Sequence, residues 1–354
     1  MTAPATPLIS VVIPCYNHGM YVGEAIESVL AQTVQNFEIL VVDDGSTDEA
    51  TRKLLASAAW PRTQVFRTEN RGLAAARNFL IERSRGQFLC ALDADDKLHP
   101  QYLEKTLGQL ERDPALTFVS TRLQMFGDED RLFPADTRCD LPTLLADCPV
   151  FSAALVRRAA VDAVGGYDEA MLQGDEDWDL WISLLEAGGH GVILPDVLFY
   201  YRRRRGSMCD LCTRGDTHLK LIEYLVRKHQ SSYRAHVLDV LRFKDRQQHD
   251  LGRENDRLEE ELDDSLRPTV ERKREELQHL QTVLASAGSQ GAATAGEAEA
   301  ELVAAQNELA ALRAEYDRSI AEVGALRSSG SWRLTAPLRA LYDLVRGKSR
   351  GEST

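Results

Sequence analysis

The chain has no excess of basic charge: 42 lysines and arginines face 55 acidic residues, a formal net charge of -13. That balance argues against nonspecific nucleic-acid binding across the whole surface, and no nucleic-acid partner is expected. No stretch approaches the roughly eighteen consecutive apolar residues of a membrane span. The N-terminus lacks a basic region and Pro14 breaks its apolar run, so no signal peptide is expected. Cysteines are few and scattered (Cys15, Cys90, Cys139, Cys148, Cys209 and Cys212), which suits reduced thiols in a cytoplasm. Cys209-Asp210-Leu211-Cys212 has the spacing of half a zinc site, but no second pair completes it. Two phosphate-binding signatures are also missing: G-x-G-x-x-G after the first strand and G-x-x-x-x-G-K-[ST] anywhere. Dinucleotide dehydrogenases and P-loop NTPases are excluded on that ground.

What is present is a core: 44% of the 354 residues are hydrophobic, enough for one or two domains. Leu8 to Ile13 reads as a first strand stopped by Pro14, followed by an amphipathic helix from about Tyr21 to Gln32. Phe37 to Val42 reads as a second strand ending in Asp43-Asp44-Gly45-Ser46-Thr47-Asp48. Ser46 or Thr47 is placed to cap the helix that runs to about Ala59. A third strand near Gln64 to Arg67 leads through Asn70-Arg71-Gly72 to a helix ending at Arg83. Phe88 to Leu92 is a buried-strand run that stops in Asp93-Ala94-Asp95-Asp96, and a helix spans Gln101 to Arg112. Strand alternating with helix at this rhythm gives an α/β fold with a mostly parallel sheet. Ligands of such sheets bind outside the carboxyl ends of the strands. Asp44 and the Asp93 to Asp96 cluster would then face one ligand, and the cluster's spacing suits a hard divalent cation. An acidic strand-to-helix turn is the plainer alternative for these residues taken alone.

Four segments occur in order: Ser10-Val11-Val12-Ile13-Pro14-Cys15-Tyr16-Asn17, Val41-Val42-Asp43-Asp44-Gly45-Ser46-Thr47-Asp48, Asn70-Arg71-Gly72-Leu73-Ala74-Ala75-Ala76-Arg77-Asn78 and Leu92-Asp93-Ala94-Asp95-Asp96. Together they resemble the family 2 glycosyltransferases, inverting enzymes of the GT-A fold that use nucleotide-sugar donors. The resemblance covers roughly residues 7 to 210. It implies that Pro14, Tyr16 and Asp44 line a nucleobase pocket, with Asp44 accepting from the ring N–H of the base. It implies further that Arg71 or Arg77 lies near the donor phosphates. The family's D-x-D falls on Asp93, Ala94 and Asp95 beside the donor, with Mn²⁺ or Mg²⁺ held by Asp95 and Asp96.

Gly174-Asp175-Glu176-Asp177-Trp178-Asp179-Leu180-Trp181 opens a helix that ends at Gly188-Gly189. Asp177, Trp181 and Leu184 fall on one stripe, so Asp177 sits at the polar end of an apolar face. Desolvation there raises a carboxyl pKa, while the helix N-terminus favours the charged form. Acidic residues are also common in a first helical turn for structural reasons alone. The resemblance matches the family's Glu-Asp pair to Glu176 and Asp177, with Asp177 as general base and Glu176 and Trp178 toward the acceptor. Trp178 suits an acceptor wall or the core equally. Near Tyr200-Tyr201-Arg202-Arg203-Arg204-Arg205-Gly206-Ser207 the sequence departs from the family's Y-R-x-H-x-x-S, with Arg204 at the histidine's place. Arginine does not ligate a metal, but its fork can neutralise a diphosphate directly.

Beyond the expected catalytic domain (1–215) lie a charged helical extension (216–284), an Ala/Gly/Ser-rich linker (285–300), a heptad helix (301–327) and a basic tail (328–354). Pro268 is expected to interrupt the extension. Leu302, Leu309, Tyr316 and Val323, with Ala305, Leu312, Ser319 and Leu326, mark a coiled coil or helical hairpin, and a homo-oligomer is one outcome. The tail combines Trp332, Leu334, Leu338 and Leu341 with Arg333, Arg339 and Arg346. It suits an anionic membrane surface or a partner protein. It also resembles the ends of bacterial cell-surface polysaccharide glycosyltransferases.

The expectation is a metal-dependent hexosyltransferase. It would take a UDP-, dTDP- or GDP-sugar to a glycan or lipid-linked hydroxyl in bacterial surface polysaccharide assembly. It would work in the cytoplasm, with the inner face of the membrane as a further location. A degenerate transferase domain acting as a scaffold is the alternative. A nucleotidylyltransferase would need a Gly-rich basic loop, which the residues between Pro14 and Tyr21 do not supply.

Overall fold

Strand β1 (Ile9–Cys15) is buried along its whole length and sits inside the sheet, as a run without polar alternation requires. The computed structural model describes residues 6–133, 137–208, 216–287 and 292–328. They fall into two units, residues 1–241 and 242–354.

In the first unit β1 pairs in parallel with β2 (Phe37–Asp44) on one side and β4 (Phe88–Ala91) on the other, and β2 pairs in parallel with β3 (Thr63–Thr68). Helices α1 (Gly19–Leu30), α2 (Glu49–Ser57) and α3 (Leu73–Arg83) make the crossovers. This half follows the expected βαβ rhythm. The strand β5 (Lys97–Leu98) and helix α4 (Tyr102–Arg112) come next. The rest of the sheet is mixed. It comprises β6 (Phe118–Gly127), the short β7 (Arg131–Leu132), β8 (Leu155–Arg157) and β9 (Gly191–Arg203), in the spatial order β3-β2-β1-β4-β8-β6-β9-β5 with β7 on β6. The strand β8 runs antiparallel to both β4 and β6, while β9 runs parallel to β6. Two reversals restore the direction of β1, so the carboxyl end of β9 returns to the same sheet edge as those of β1, β2 and β4.

Two local expectations change. Pro14 lies within β1, opposite Val42, because β4 pairs only as far as Val12 and leaves that side of Pro14 without a ladder to break. Asp48, rather than Ser46 or Thr47, caps α2, its Oδ1 accepting from the Thr51 N–H at 2.8 Å.

Between β7 and β9 lie α5 (Leu141–Ala146), α6 (Arg158–Val164) and α7 (Glu176–Glu186). Seven of the eleven residues of helix α7 are buried. Trp181 is fully covered and packs on the Phe118 ring at 4.9 Å, anchoring the helix to β6. The core does not stop at residue 215. Leu221 and Leu225 of α8 (Asp216–Lys228) belong to it, and α9 (Gln230–Ala235) and the start of α10 (Val237–Glu261) complete the unit. Between α8 and α9 the buried His229 bonds Asp179 at 3.0 Å and Glu186 at 2.8 Å, both on α7. Burial works against its charge, but the two carboxylates prevail and hold its pKa above the usual histidine value. Lys228 adds ion pairs to Asp179 and Asp168, so α8 is tied to α7 by charge as well as by apolar packing.

The second unit is helical. A π turn (Leu262–Leu266) joins α10 to α11 (Arg267–Ala287), and α12 (Ala292–Ser328) packs back against both. Pro268 does not break the helix, because the wider turn just before it absorbs the misfit of a residue without N–H. Leu302, Ala305, Leu309, Leu312, Tyr316 and Val323 meet Leu258, Leu262, Leu266, Val270 and Leu277 of the same chain, and Lys273 pairs with Glu308 at 2.7 Å. The heptad stripe is therefore occupied within the chain, as a helical hairpin. Helix α11 reaches Ala287 and α12 starts at Ala292, both inside the stretch expected as a linker. The basic tail beyond Ser328, with Cys209 and Cys212, lies outside the described residues. No described helix is long and apolar enough to cross a membrane.

Candidate active site

At the shared strand edge of the first unit lies a cavity of about 730 Å³. Pro14, Tyr16, Asp44, Asp93, Ala94, Asp95 and Arg204, all singled out in the sequence, line it. The second and fourth strand ends thus open on one space, as the parallel topology requires.

Turn chemistry shapes one wall. Asp44 is buried; its Oδ1 accepts from the Arg71 N–H and its Oδ2 from the Gly72 N–H, both at 3.1 Å. The carboxylate therefore folds the Asn70–Gly72 turn, and its remaining lone pairs are what it has for a ligand. Gly45 follows at φ +69°, and a Cβ there would stand 2.5 Å from the Asn70 nitrogen, so the approach of the two turns needs glycine. Asn17, at φ +56°, ties the turn after β1 to the turn after β2. Its Oδ1 accepts from the Thr47 and Asp48 N–H groups at 2.8 and 3.0 Å. No local sequence pattern marks Asn17 for this role.

The acidic cluster carries its own counter-charges. The guanidinium of Arg77 is wholly buried, pairing with Asp93 at 2.6 Å and with Glu176, and it lies 5.1 Å from the centre of the Tyr167 ring. Burial opposes its charge, yet Asp93 and Glu176 hold its pKa well above the usual value. Arg77, one of the two arginines expected near the donor phosphates, is held by these two carboxylates. It is the link between the end of β4 and the start of α7. The side chain of Arg71 turns to Glu169 at 2.9 Å, away from the cavity lining. Arg204 pairs with Asp95 at 2.9 Å and its Nη2 meets His18 Nε2. Asp96 is buried: its Oδ1 accepts from the Arg202 N–H at 2.8 Å and its Oδ2 has no hydrogen-bond partner. Desolvation, then Asp95 and Asp93, push its pKa well above the usual carboxyl range.

Helix α7 begins behind this cluster. Asp175 before it adopts φ +59°, a left-handed conformation uncommon outside glycine. Glu176 is buried against Arg77, and Trp178 is buried with its Nε1–H donating to the Leu144 carbonyl at 2.5 Å. Neither lines the cavity: Trp178 packs in the core and Glu176 pairs with Arg77. Asp177 is half-buried, and its pKa is pushed up to about 8, by desolvation first and then by Glu176. It is outside the cavity lining but within electrostatic reach of Asp93, which is part of it.

Residues 10–162 match the family model described as glycosyl transferase family 2. That segment is similar to family 2 glycosyltransferase domains. An "uncharacterized glycosyltransferase" of Rickettsia felis is 32% identical over 193 residues, covering 52% of this chain and 31% of the relative. Escherichia coli chondroitin synthase is 31% identical over 194 residues, covering 53% and 28%. These matches span less than a third of either relative's length. Among solved structures, S. aureus TarS 1–349 in complex with UDP-GlcNAc superposes with a TM-score of 0.51 at 20% identity, covering 62% of this chain and 66% of that one. The first unit of the chain has the GT-A arrangement: a mostly parallel sheet with flanking helices.

The acidic cluster of the first unit fits a divalent cation. Asp96 Oδ2 is a buried oxygen without a donor, beside the carboxylates of Asp93 and Asp95. Among the described residues no three His, Cys, Asp or Glu side chains form a ready ligand set. A cation at Asp95 and Asp96 would complete its shell with water and phosphate oxygens, the usual habit of Mg²⁺ beside nucleotides.

Proposed function

We propose that the protein is an inverting glycosyltransferase that moves a sugar from a nucleoside diphosphate donor to a hydroxyl of a glycan or lipid-linked acceptor. One observation carries the reading: Pro14, Tyr16 and Asp44 share a single cavity with Asp93 and Asp95, and Arg77 joins Asp93 to the helix that bears Asp177. The first three residues bound a nucleobase, and the acidic turn receives the diphosphate. Asp177 takes the acceptor proton, its raised pKa making it a stronger base than an ordinary carboxylate. In one displacement the acceptor oxygen bonds to the anomeric carbon as the bond to the diphosphate breaks, and the nucleoside diphosphate leaves. Mn²⁺ or Mg²⁺ at Asp95 and Asp96 would neutralise charge on the leaving phosphates.

The relation to chondroitin synthase supports a polysaccharide context, here read as bacterial surface glycan assembly, and the UDP-GlcNAc complex of TarS makes UDP-sugars the first donors to test. The full chain is expected to release nucleoside diphosphate from one member of a panel of UDP-, dTDP- and GDP-sugars, read by a coupled diphosphate assay. Tight nucleotide binding with no release from any of them, acceptor glycans included, would instead favour the scaffold reading.

A further inference from the structure

We propose that Arg204 is the resident counter-cation of the donor diphosphate. It exchanges Asp95 for phosphate oxygens when the donor arrives, so nucleotide binding outlasts removal of divalent metal. The proposal rests on the glycosyltransferase reading above and deepens it.

The arginines around the cavity are not equivalent. Arg77 is paired with two carboxylates and its side chain is buried, with no exposed surface to offer a ligand. Arg202 is committed to the fold: its N–H donates to Asp96, its Nε–H to the Asp95 carbonyl at 2.8 Å, and its Nη2 to Glu24 at 2.9 Å. Its guanidinium also lies between the Tyr21 and Phe126 rings, at 4.5 and 4.4 Å from their centres. Arg204 also faces the Tyr21 ring, at 5.7 Å from its centre, but is less committed. It lines the cavity and its side chain is 28% exposed. Its single ion pair is to Asp95, at 2.9 Å, and Nη1 has no hydrogen-bond partner among the described residues. A guanidinium carries five N–H donors in a planar fork that matches phosphate oxygens two at a time. Arg204 therefore has donors to spare, in the cavity, at the acidic turn.

Charge balance favours the exchange. Without donor, Arg204 neutralises Asp95, which otherwise adds to the repulsion on buried Asp96. With donor, the diphosphate brings new negative charge to the same space, and Arg204 is the nearest cation not locked into the fold. Asp95, once released, is left for a divalent ion or water. Arginine and metal are thus two separable sources of positive charge at one site, and either alone sustains binding.

The test is calorimetric titration of UDP, GDP and dTDP into the full chain, in EDTA and in excess Mn²⁺, for wild type, Arg204→Ala, Arg204→Lys and Arg204→His. At least one nucleotide should bind the wild type in EDTA within about tenfold of its affinity in Mn²⁺. Losing the charged, forked contact in Arg204→Ala should weaken binding in EDTA by about 10- to 100-fold. Arg204→His should bind measurably only with Mn²⁺. Arg204→Lys keeps a point charge, so its partial retention of binding in EDTA guards against misfolding as the cause. Wild-type binding that requires Mn²⁺, or EDTA binding unchanged in Arg204→Ala, overturns the assignment and leaves the proposed transfer standing. Absence of nucleotide binding under every condition overturns both.

Discussion

Asp177→Asn is expected to lower kcat by about 10²- to 10⁴-fold, the range of a positioned general base, while nucleoside diphosphate affinity stays within about threefold. The substitution keeps size and hydrogen-bonding shape but removes the basic oxygen. Asp177 lies outside the lining of the nucleotide cavity, so donor binding has no direct need of it. Its pH behaviour gives a second readout. Desolvation and Glu176 raise its pKa to about 8, so at neutral pH most of it is protonated and unable to accept a proton. Activity of the wild type should therefore rise with pH through about 8, and that limb should vanish in the residual activity of Asp177→Asn. Steady-state rates from pH 6 to 9 decide the matter. A variant with wild-type turnover, or a profile that falls across the same range, would remove Asp177 from the role.

Arg77→Ala is expected to cost about 3–5 kcal/mol of stability, as breaking a buried ion pair from one side commonly does. The arginine is enclosed, and its removal leaves Asp93 and buried Glu176 facing each other's charge in low dielectric. Glu176 Oε2 already lacks a hydrogen-bond partner, so the remaining carboxylate has nothing else to turn to. Glu176→Gln in the Arg77→Ala background should recover part of the loss, since it removes one of the stranded charges. Urea unfolding monitored by tryptophan fluorescence measures both, Trp178 and Trp181 lying on the affected helix. A loss below about 1 kcal/mol would mean that the two acids find other partners, and that Arg77 does not fasten β4 to α7.

The first half of the sheet was legible because β1 and β2 are long, largely apolar runs, each followed by a turn and a helix. The strand β2 is buried at all eight positions and ends in Asp43 and Asp44. The second half was not, for a physical reason. The three residues of β8 carry too little pattern to show a strand, still less its antiparallel direction, and β9 spreads its thirteen residues over a register shift opposite Thr121–Leu123. Site residues divide in a similar way. Sequence spacing put Asp44, Asp93 and Asp95 at one edge because parallel strands share an end. It could not distinguish an arginine that faces the cavity from one buried behind it, so Arg77 and Arg204 looked alike. Buried Arg77 and Glu176 lie 99 positions apart, and no local pattern announces such a pair. The Asp179–His229–Glu186 contact between α7 and the α8–α9 junction was missed for the same reason, and with it the extension of the first unit to residue 241.

Nucleotide recognition by this cavity is tested most directly by calorimetric titration of UDP, GDP and dTDP into wild type and Asp44→Ala. One nucleotide should bind with one-to-one stoichiometry. Asp44→Ala should weaken it by more than about tenfold, because that carboxylate both lines the cavity and holds the Arg71 and Gly72 amides that form its wall. Binding of equal strength in the variant would place the nucleotide elsewhere, and no binding to the wild type would contradict the glycosyltransferase reading itself.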